Sequence, residues 1–379
     1  MRLVDFSTAD HDAWDALCDD SPDAWLFHRS AWIDMETRRF VSANLSFALE
    51  LRGEIAGLCP LYLSDGSKGT GGERLLHSGI HRHTGLALRS NLAPSEARAA
   101  RSAAMNRIFE LAEQEDADRI QLNAHNLAPR NLGPNRSEIP FWVEEHGFDL
   151  GLAFGPNGMV PAPGLSTCGS DQIVDLTLTK EALFTNVDDK SGRWAIRKAK
   201  SFGLSFDTGR NEQCIDEYYA LAGKSATRTG ESLASREYYG ELWQAFAGTG
   251  RCVVHFARQE QVPIAAAVLL VDKSAASYHA GVSDPDYLRM CGNDFVLWHS
   301  ILWAKQSGRD AFRFGPWFPT VDRDWAIAKV SRFKKKFGGT PRTIIQGSWF
   351  RRPERYLAAG SELLAAMCRK RDVGANADT

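Results

Sequence analysis

The feature that most limits how this chain can fold is a pattern written twice, roughly two hundred residues apart. Residues 46–64, SFALELRGEIAGLCPLYLS, and residues 252–272, CVVHFARQEQVPIAAAVLLVD, each place an apolar run, a short polar turn and a second apolar run in succession. Apolar runs of strand length around a polar turn predict a hairpin. The same unit is therefore expected in each half. Residues 155–172, GPNGMVPAPGLSTCGSDQ, are dense in Gly, Pro and Ser and read as the connector. Helical periodicity at 94–116, 235–246 and 293–307 alternates with strands on both sides of it, which predicts two α/β domains. The expected boundaries are 1–165 and 166–350, with a C-terminal helix and tail over 351–379.

Composition narrows the function classes. With 45 basic against 47 acidic residues in 379, the surface as a whole is not built for a polyanion, and any nucleic-acid or membrane contact must be a local patch. The seven cysteines form no CxxC pair, which suits reduced thiols rather than a disulfide framework or a zinc ribbon. The first 25 residues show no apolar signal region, and the longest aliphatic run, residues 262–271, is about half the length of a spanning helix. The expectation is a cytoplasmic protein without a transmembrane segment.

After the second hairpin the chain offers a third strand (ASYHAGVSD, 276–284), a strongly apolar helix and a short strand in DAFRFGPW. That order is the order of the N-acetyltransferase (GNAT) fold. Four stretches carry a resemblance to the FemAB-like transferases, which form peptidoglycan bridges, and to their BioF2-like acetyltransferase-domain relatives. They are residues 174–206, 226–243 and 278–315, and RFKKKFGG at 332–339. The resemblance implies two tandem GNAT-like (acyl-CoA N-acyltransferase fold) domains, each a mixed sheet flanked by helices, with catalysis in the second and the acceptor held by the first.

The resemblance also assigns roles. Lys334, beside Phe333, matches the lysine thought to face the tetrahedral oxyanion of acyl transfer, a task that a fixed cation performs well. Arg228, in ATRTGES, matches an arginine that holds substrate phosphate through its planar fork, with Arg236 as its companion. The chain departs from the family pattern at three places: Arg193-Trp194-Ala195 replaces a basic pair and asparagine, Arg313 replaces an acid, and Glu36 stands where a phosphate-binding lysine is usual. These departures argue against a UDP-linked peptidoglycan precursor.

Other candidates come from the residues alone. Arg193, Arg197 and Lys200 recur on one face of a helix in GRWAIRKAKSFG, with Trp194, Ile196 and Ala199 available to pack. Arg289, Gly292 and Asp294 give R-x-x-G-x-D, a variant of the pyrophosphate loop of CoA-dependent enzymes, with Asp294 as an opposing charge and helix cap. His77, His81 and His83 in HSGIHRHTG read as a cleft-lining loop, with His81 on the acceptor side, rather than as a metal site. A general base is expected among Asp322, Asp324 and the Tyr278-His279 pair. Lys335 and Lys336 are expected at the surface. The leading expectation is an acyl or aminoacyl transferase that acylates an amine on a cell-envelope or polysaccharide precursor, with aminoacyl-tRNA or acyl-CoA as donor. The alternatives are an acyl-CoA-dependent N-acetyltransferase on an amino sugar or small molecule, and a non-catalytic module docking RNA or a membrane surface.

Overall fold

The computed structural model describes residues 1–39, 41–65, 74–79, 84–132, 146, 149–152, 170–230, 233–317, 326–343, 345–351 and 354. The chain divides into two units, one of Met1–Gly169, Phe318–Thr320 and Thr343–Thr379, the other of Ser170–Trp317 and Val321–Arg342.

The first unit runs β1 (Arg2–Asp5), α1 (His11–Asp20), α2 (Ser30–Arg39), β2 (Ala43–Asn44), β3 (Phe47–Leu51), β4 (Glu54–Cys59), β5 (Tyr62–Ser64), β6 (Leu75–His77), β7 (Ala87–Leu88), α3 (Pro94–Gln114), β8 (Arg119–Asn123), α4 (Pro129–Leu132) and β9 (Asp149–Leu152). The hairpin expected from the sequence is β3–β4. Its two turn residues, Arg52 and Gly53, both have positive φ (56° and 83°), as a tight turn that follows the strand twist requires. A four-stranded sheet has the order β1-β3-β4-β7, and a six-stranded sheet brings in a strand from the far end of the chain, β17 (Ile345–Phe350), between β8 and β9. The sequence reading placed residues 166–350 in the second domain; β17 instead spends its hydrogen bonds on β8 and β9, and Trp349 packs edge-on to Phe109 at 5.0 Å. Pro94 opens α3 at a position where no backbone donor is lost, and Glu96 accepts from the Ala93 N–H at 3.1 Å. Its Ala104, Met105 and Ile108 then bury against Leu76, Ile120 and Leu122.

The second unit runs β10 (Ser170–Asp175), α5 (Lys180–Asn186), α6 (Trp194–Ser201), β11 (Ser205–Thr208), α7 (Gln213–Thr229), α8 (Arg236–Phe246), β12 (Cys252–Gln259), β13 (Val262–Asp272), β14 (Ala275–Ser283), α9 (Gly292–Gln306), β15 (Ala311–Trp317), α10 (Ala326–Lys335) and β16 (Thr340–Thr343). Seven strands form one sheet in the order β11-β12-β13-β14-β15-β10-β16. The apolar run of β13 shows no alternation because every residue from Ile264 to Asp272 is buried at the centre of that sheet. On α9, Phe295, Trp298 and Ile301 pack over Ala265, Leu269, Ala276 and Phe312 to make the core.

That core contains a buried histidine with a fixed proton. Ser300 Oγ donates to the Val296 carbonyl at 2.7 Å, so it accepts from His255 Nδ1–H at 2.9 Å, while His255 Nε2 has no partner. Burial pushes the His255 pKa down to about 3. The folded pKa lies below the unfolded value, so the unfolded chain takes up a proton the native state refuses, and stability drops as pH falls below about 6.5. Denaturant unfolding at pH 5 is expected to show about 2 kcal/mol less stability from this group than at pH 7, a loss that His255→Gln removes.

Candidate active site

A gap in the strand pairing defines the site of the second unit. β14 and β15 pair in parallel only over Ala275–Ser277 and Ala311–Arg313. Beyond that, β14 continues to Ser283 against β13 alone, and β15 continues to Trp317 against β10 alone. Both strands carry an irregularity where they part. His279 has no counterpart between Leu269 and Val268, and Phe314 has none between Ile173 and Gln172. Bulges of this kind bend a strand and re-aim its side chains. The two strands diverge into a wedge bounded by residues 278–283 and 314–317.

RFKKKFGG closes that wedge. Residues up to Lys335 form the last turn of α10. Phe337 is buried and stacks on Phe314 at 5.1 Å, Phe333 meets Phe337 edge-on at 5.5 Å, and Tyr278 approaches Phe314 at 6.1 Å. With the helix end anchored in this way, Lys334 is half-buried and its Nζ donates to the Pro316 carbonyl at 3.1 Å. Gly338 and Gly339 have φ of 81° and 87°, and a Cβ on either would meet backbone oxygens, Asn186 O at 2.9 Å and Ile173 O at 2.6 Å. The glycines serve this close backbone approach into β16. Lys336 is not at the surface, as the sequence suggested. It pairs with the buried Asp294 and lies over the Phe333 ring at 4.2 Å, because a carboxylate buried at the start of α9 needs a counter-charge.

Behind Lys334 lies a charge pair that the sequence reading missed. Arg313 Nη2 stands 2.6 Å from Asp171 Oδ1 on β10, with both side chains buried, and Arg313 Nη1 donates to Ser277 Oγ at 3.4 Å. The signal was present: an arginine inside the apolar strand AFRFG needs a partner acid, and SDQIVD, on the strand that pairs with it, supplies one. Burial, and then the Arg313 charge, hold the Lys334 pKa down to about 8, with Asp171 acting the other way. Lys334 thus exchanges its proton far closer to neutrality than an ordinary lysine.

The remaining candidates are dispersed around the unit. On β14, His279 Nε2 lies 2.9 Å from Tyr238 Oη of α8, and the Tyr278 hydroxyl covers Gly281. Arg228 is exposed in the last turn of α7, whereas Arg236 is engaged with Asp216 at 2.7 Å. Arg193 and Arg197 both approach Asp189, at 3.2 and 3.7 Å. The expected basic stripe is therefore partly neutralised, and α6 begins only at Trp194, leaving Arg193 in the turn before it. Trp194 does not pack inward; it is 53% exposed, with Lys198 Nζ over its ring at 4.7 Å. Arg289 is exposed in the Pro285–Met290 turn, and Gly292 opens α9 against Ala265, where a Cβ would stand 3.1 Å away. Asp294 is the third residue of α9 rather than its cap, which is Cys291 in left-handed conformation. His81, His83, Asp322 and Asp324 lie outside the described residues. Among the described residues, no group of His, Cys, Asp and Glu is arranged to hold a metal ion, and no helix is long and apolar enough to cross a membrane.

Residues 190–334 match the family model described as acetyltransferase (GNAT) domain, a span that includes the wedge, α9 and Lys334. The structure is similar to FemX at a TM-score of 0.70 and 14% identity, covering 94% of this chain and 99% of that one. It is also similar to L-PGS from Bacillus licheniformis (TM-score 0.54, 11% identity, 95% and 97% covered). A third likeness is to the C-terminal DUF2156 domain of an Agrobacterium fabrum protein described as a lysylphosphatidylglycerol synthetase (TM-score 0.55, 12% identity, 93% and 96% covered). No curated protein matches the chain by sequence. The divided sheet, the domain match and the likeness to FemX along nearly the whole chain agree on two GNAT-like domains built of sheets flanked by helices, the first of two sheets and the second of one. The chain carries an acetyltransferase (GNAT) domain at residues 190–334, on a fold that it shares with FemX.

Proposed function

We propose that this protein transfers an acyl or aminoacyl group to an amine on a cell-envelope or polysaccharide precursor, with chemistry in the β14/β15 wedge and Lys334 as the cation that meets the oxyanion. The observation that carries this reading is the Lys334 ammonium, held by the Pro316 carbonyl on the stretch of β15 that has left β14, three residues past their last pair. An ammonium has three donors, so one bond to a carbonyl leaves two for substrate. The amine attacks the carbonyl carbon, its π pair moves to oxygen beside Lys334, and collapse expels the donor's thiolate or ribose oxygen. The proton lost by the nitrogen passes to the leaving group through Tyr278 or His279, which stand on the opposite strand. FemX and the lysylphosphatidylglycerol synthetase share the fold, which supports an envelope component as acceptor and an aminoacyl donor.

A second reading, acyl-CoA as donor, is favoured by one observation: Lys336 offsets Asp294 at the start of α9, so that carboxylate does not stand as an unopposed charge against a pyrophosphate. Thermal unfolding with acetyl-CoA, alanyl-tRNA and amino-sugar nucleotides separates the two. A ligand at a hundred times its dissociation constant adds about 2.7 kcal/mol. Stabilisation by alanyl-tRNA supports the first reading, stabilisation by acetyl-CoA alone selects the second, and no shift with any donor contradicts both.

A further inference from the structure

In the second unit, four large apolar side chains are exposed among the described residues: Trp194, Val262, Leu288 and Val330. Trp194 and Leu288, the latter 48% exposed, belong to elements that touch, because α6 packs against the Pro285–Met290 turn. α6 has already spent its apolar face, with Ala195, Ile196 and Ala199 buried, so Trp194 and Lys198, one turn apart, share its outer face. In the neighbouring turn Tyr287 and Met290 pack on the core, and Leu288 between them does not. Burial and then Asp294 raise the Cys291 thiol pKa while Lys198 opposes them, which brings that ammonium to the end of the same turn.

The charge around this pair is one-sided. From Asp188 to Lys200 five cations stand against two acids, in a chain whose net charge is −2. Both acids are engaged: Asp188 accepts from Ser191 N and Oγ at 2.8 and 2.6 Å, and Asp189 lies 3.2 and 3.7 Å from Arg193 and Arg197. Lys190, Lys198 and Lys200 supply the excess, and in the turn Asp286 and Arg289 cancel. Three classes of partner would use such a face differently. A nucleic-acid base would stack on Trp194 but gain nothing from Leu288, which has no π face. A protein interface excludes lysine from its core, whereas Lys198 sits over the indole at 4.7 Å. At a bilayer surface both features fit: an indole and an aliphatic chain enter the headgroup region, and the lysine beside them keeps its ammonium in water against lipid phosphate.

We propose that the outer face of α6 and the Pro285–Met290 turn docks on an anionic phospholipid bilayer, with Trp194 and Leu288 in the headgroup region and Lys190, Lys198 and Lys200 toward lipid phosphates. The docking goes beyond the acyltransferase reading and uses neither Lys334 nor a donor. Two apolar side chains bury little area, so the binding is weak, reversible and salt-dependent. The test is co-sedimentation of the full chain with vesicles of phosphatidylcholine alone and with about 30% phosphatidylglycerol, on the parent, Trp194→Ser, Leu288→Ser, Lys198→Glu and Lys334→Ala. The parent is expected to bind only the anionic vesicles and to leave them in about 0.5 M salt. Trp194→Ser and Lys198→Glu are each expected to weaken partitioning about tenfold and Leu288→Ser about fivefold. Their unfolding midpoints should match the parent's, because none of the three side chains is buried. Lys334→Ala is expected to bind like the parent. Brominated lipid should quench a part of the parent's tryptophan fluorescence that Trp194→Phe lacks. No binding of the parent to anionic vesicles overturns the proposal, as does binding that Trp194→Ser and Leu288→Ser retain in full. An RNA partner predicts tRNA affinity lost in Trp194→Ser with vesicle binding unchanged, and a second copy predicts a dimer that Trp194→Ser separates without any vesicle binding; either result overturns it. Bilayer binding that depends on Trp194, together with no transfer from any donor, leaves the docking face standing and removes only the acyltransferase reading.

Discussion

Lys334→Ala is expected to lower kcat for acyl transfer by about 10²–10³-fold, the usual effect of deleting one oxyanion donor, with little change in the unfolding midpoint. Little stability is at stake because the half-buried side chain makes one hydrogen bond, to a strand-end carbonyl, while Phe337 anchors the helix. The effect should fall on kcat and kcat/KM together, as expected for an interaction made in the transition state. Single-turnover rates with the donor chosen by thermal unfolding check this. A rate within a few-fold of the parent means that Lys334 is an anchoring residue and the oxyanion is met elsewhere.

Asp171→Ala is expected to destabilise the second unit by about 3–5 kcal/mol, because it leaves the Arg313 guanidinium buried without its counter-ion. The double variant Asp171→Leu/Arg313→Met should recover most of that loss, since it removes both charges and keeps the volume. Denaturant midpoints of the two proteins measure it; equal destabilisation in both would show that packing rather than charge is at stake. The pair also tunes Lys334. Arg313 lowers the lysine's pKa and Asp171 raises it, so Arg313→Met should move the lysine's titration to higher pH.

Much of the second unit was legible in the sequence, since its elements follow from local pattern. The β12–β13 hairpin sits where two apolar runs meet a polar turn, and α9 starts one residue before its expected position. Long-range pairing was not legible. Nothing local says that Ile345–Phe350 leaves its neighbours to join β8 and β9, or that the acid facing Arg313 lies more than a hundred residues upstream. The lysine run shows the same limit. Lys334, Lys335 and Lys336 are adjacent in the chain, yet Lys334 reaches Pro316, Lys335 lies over Trp317 at 5.9 Å and Lys336 pairs with Asp294. A helix end projects successive side chains in different directions, and only the tertiary partners tell them apart. Trp194 failed in the opposite sense: helical periodicity offered it to the core, and the π-type turn over Asp189–Arg193 rotates it outward.

The central claim is that a protonated Lys334 meets the oxyanion, and the pH dependence of kcat tests it most directly. The folded pKa of about 8 lies below the ordinary lysine value, so the ammonium is present below that pH and is lost as pH rises through it. The parent should therefore lose activity above about pH 8 along a single-proton limb, and Lys334→Arg, whose guanidinium keeps its charge, should retain activity without that limb. A parent whose rate stays level from pH 7 to 10, or an arginine variant that keeps the same limb, would contradict the claim.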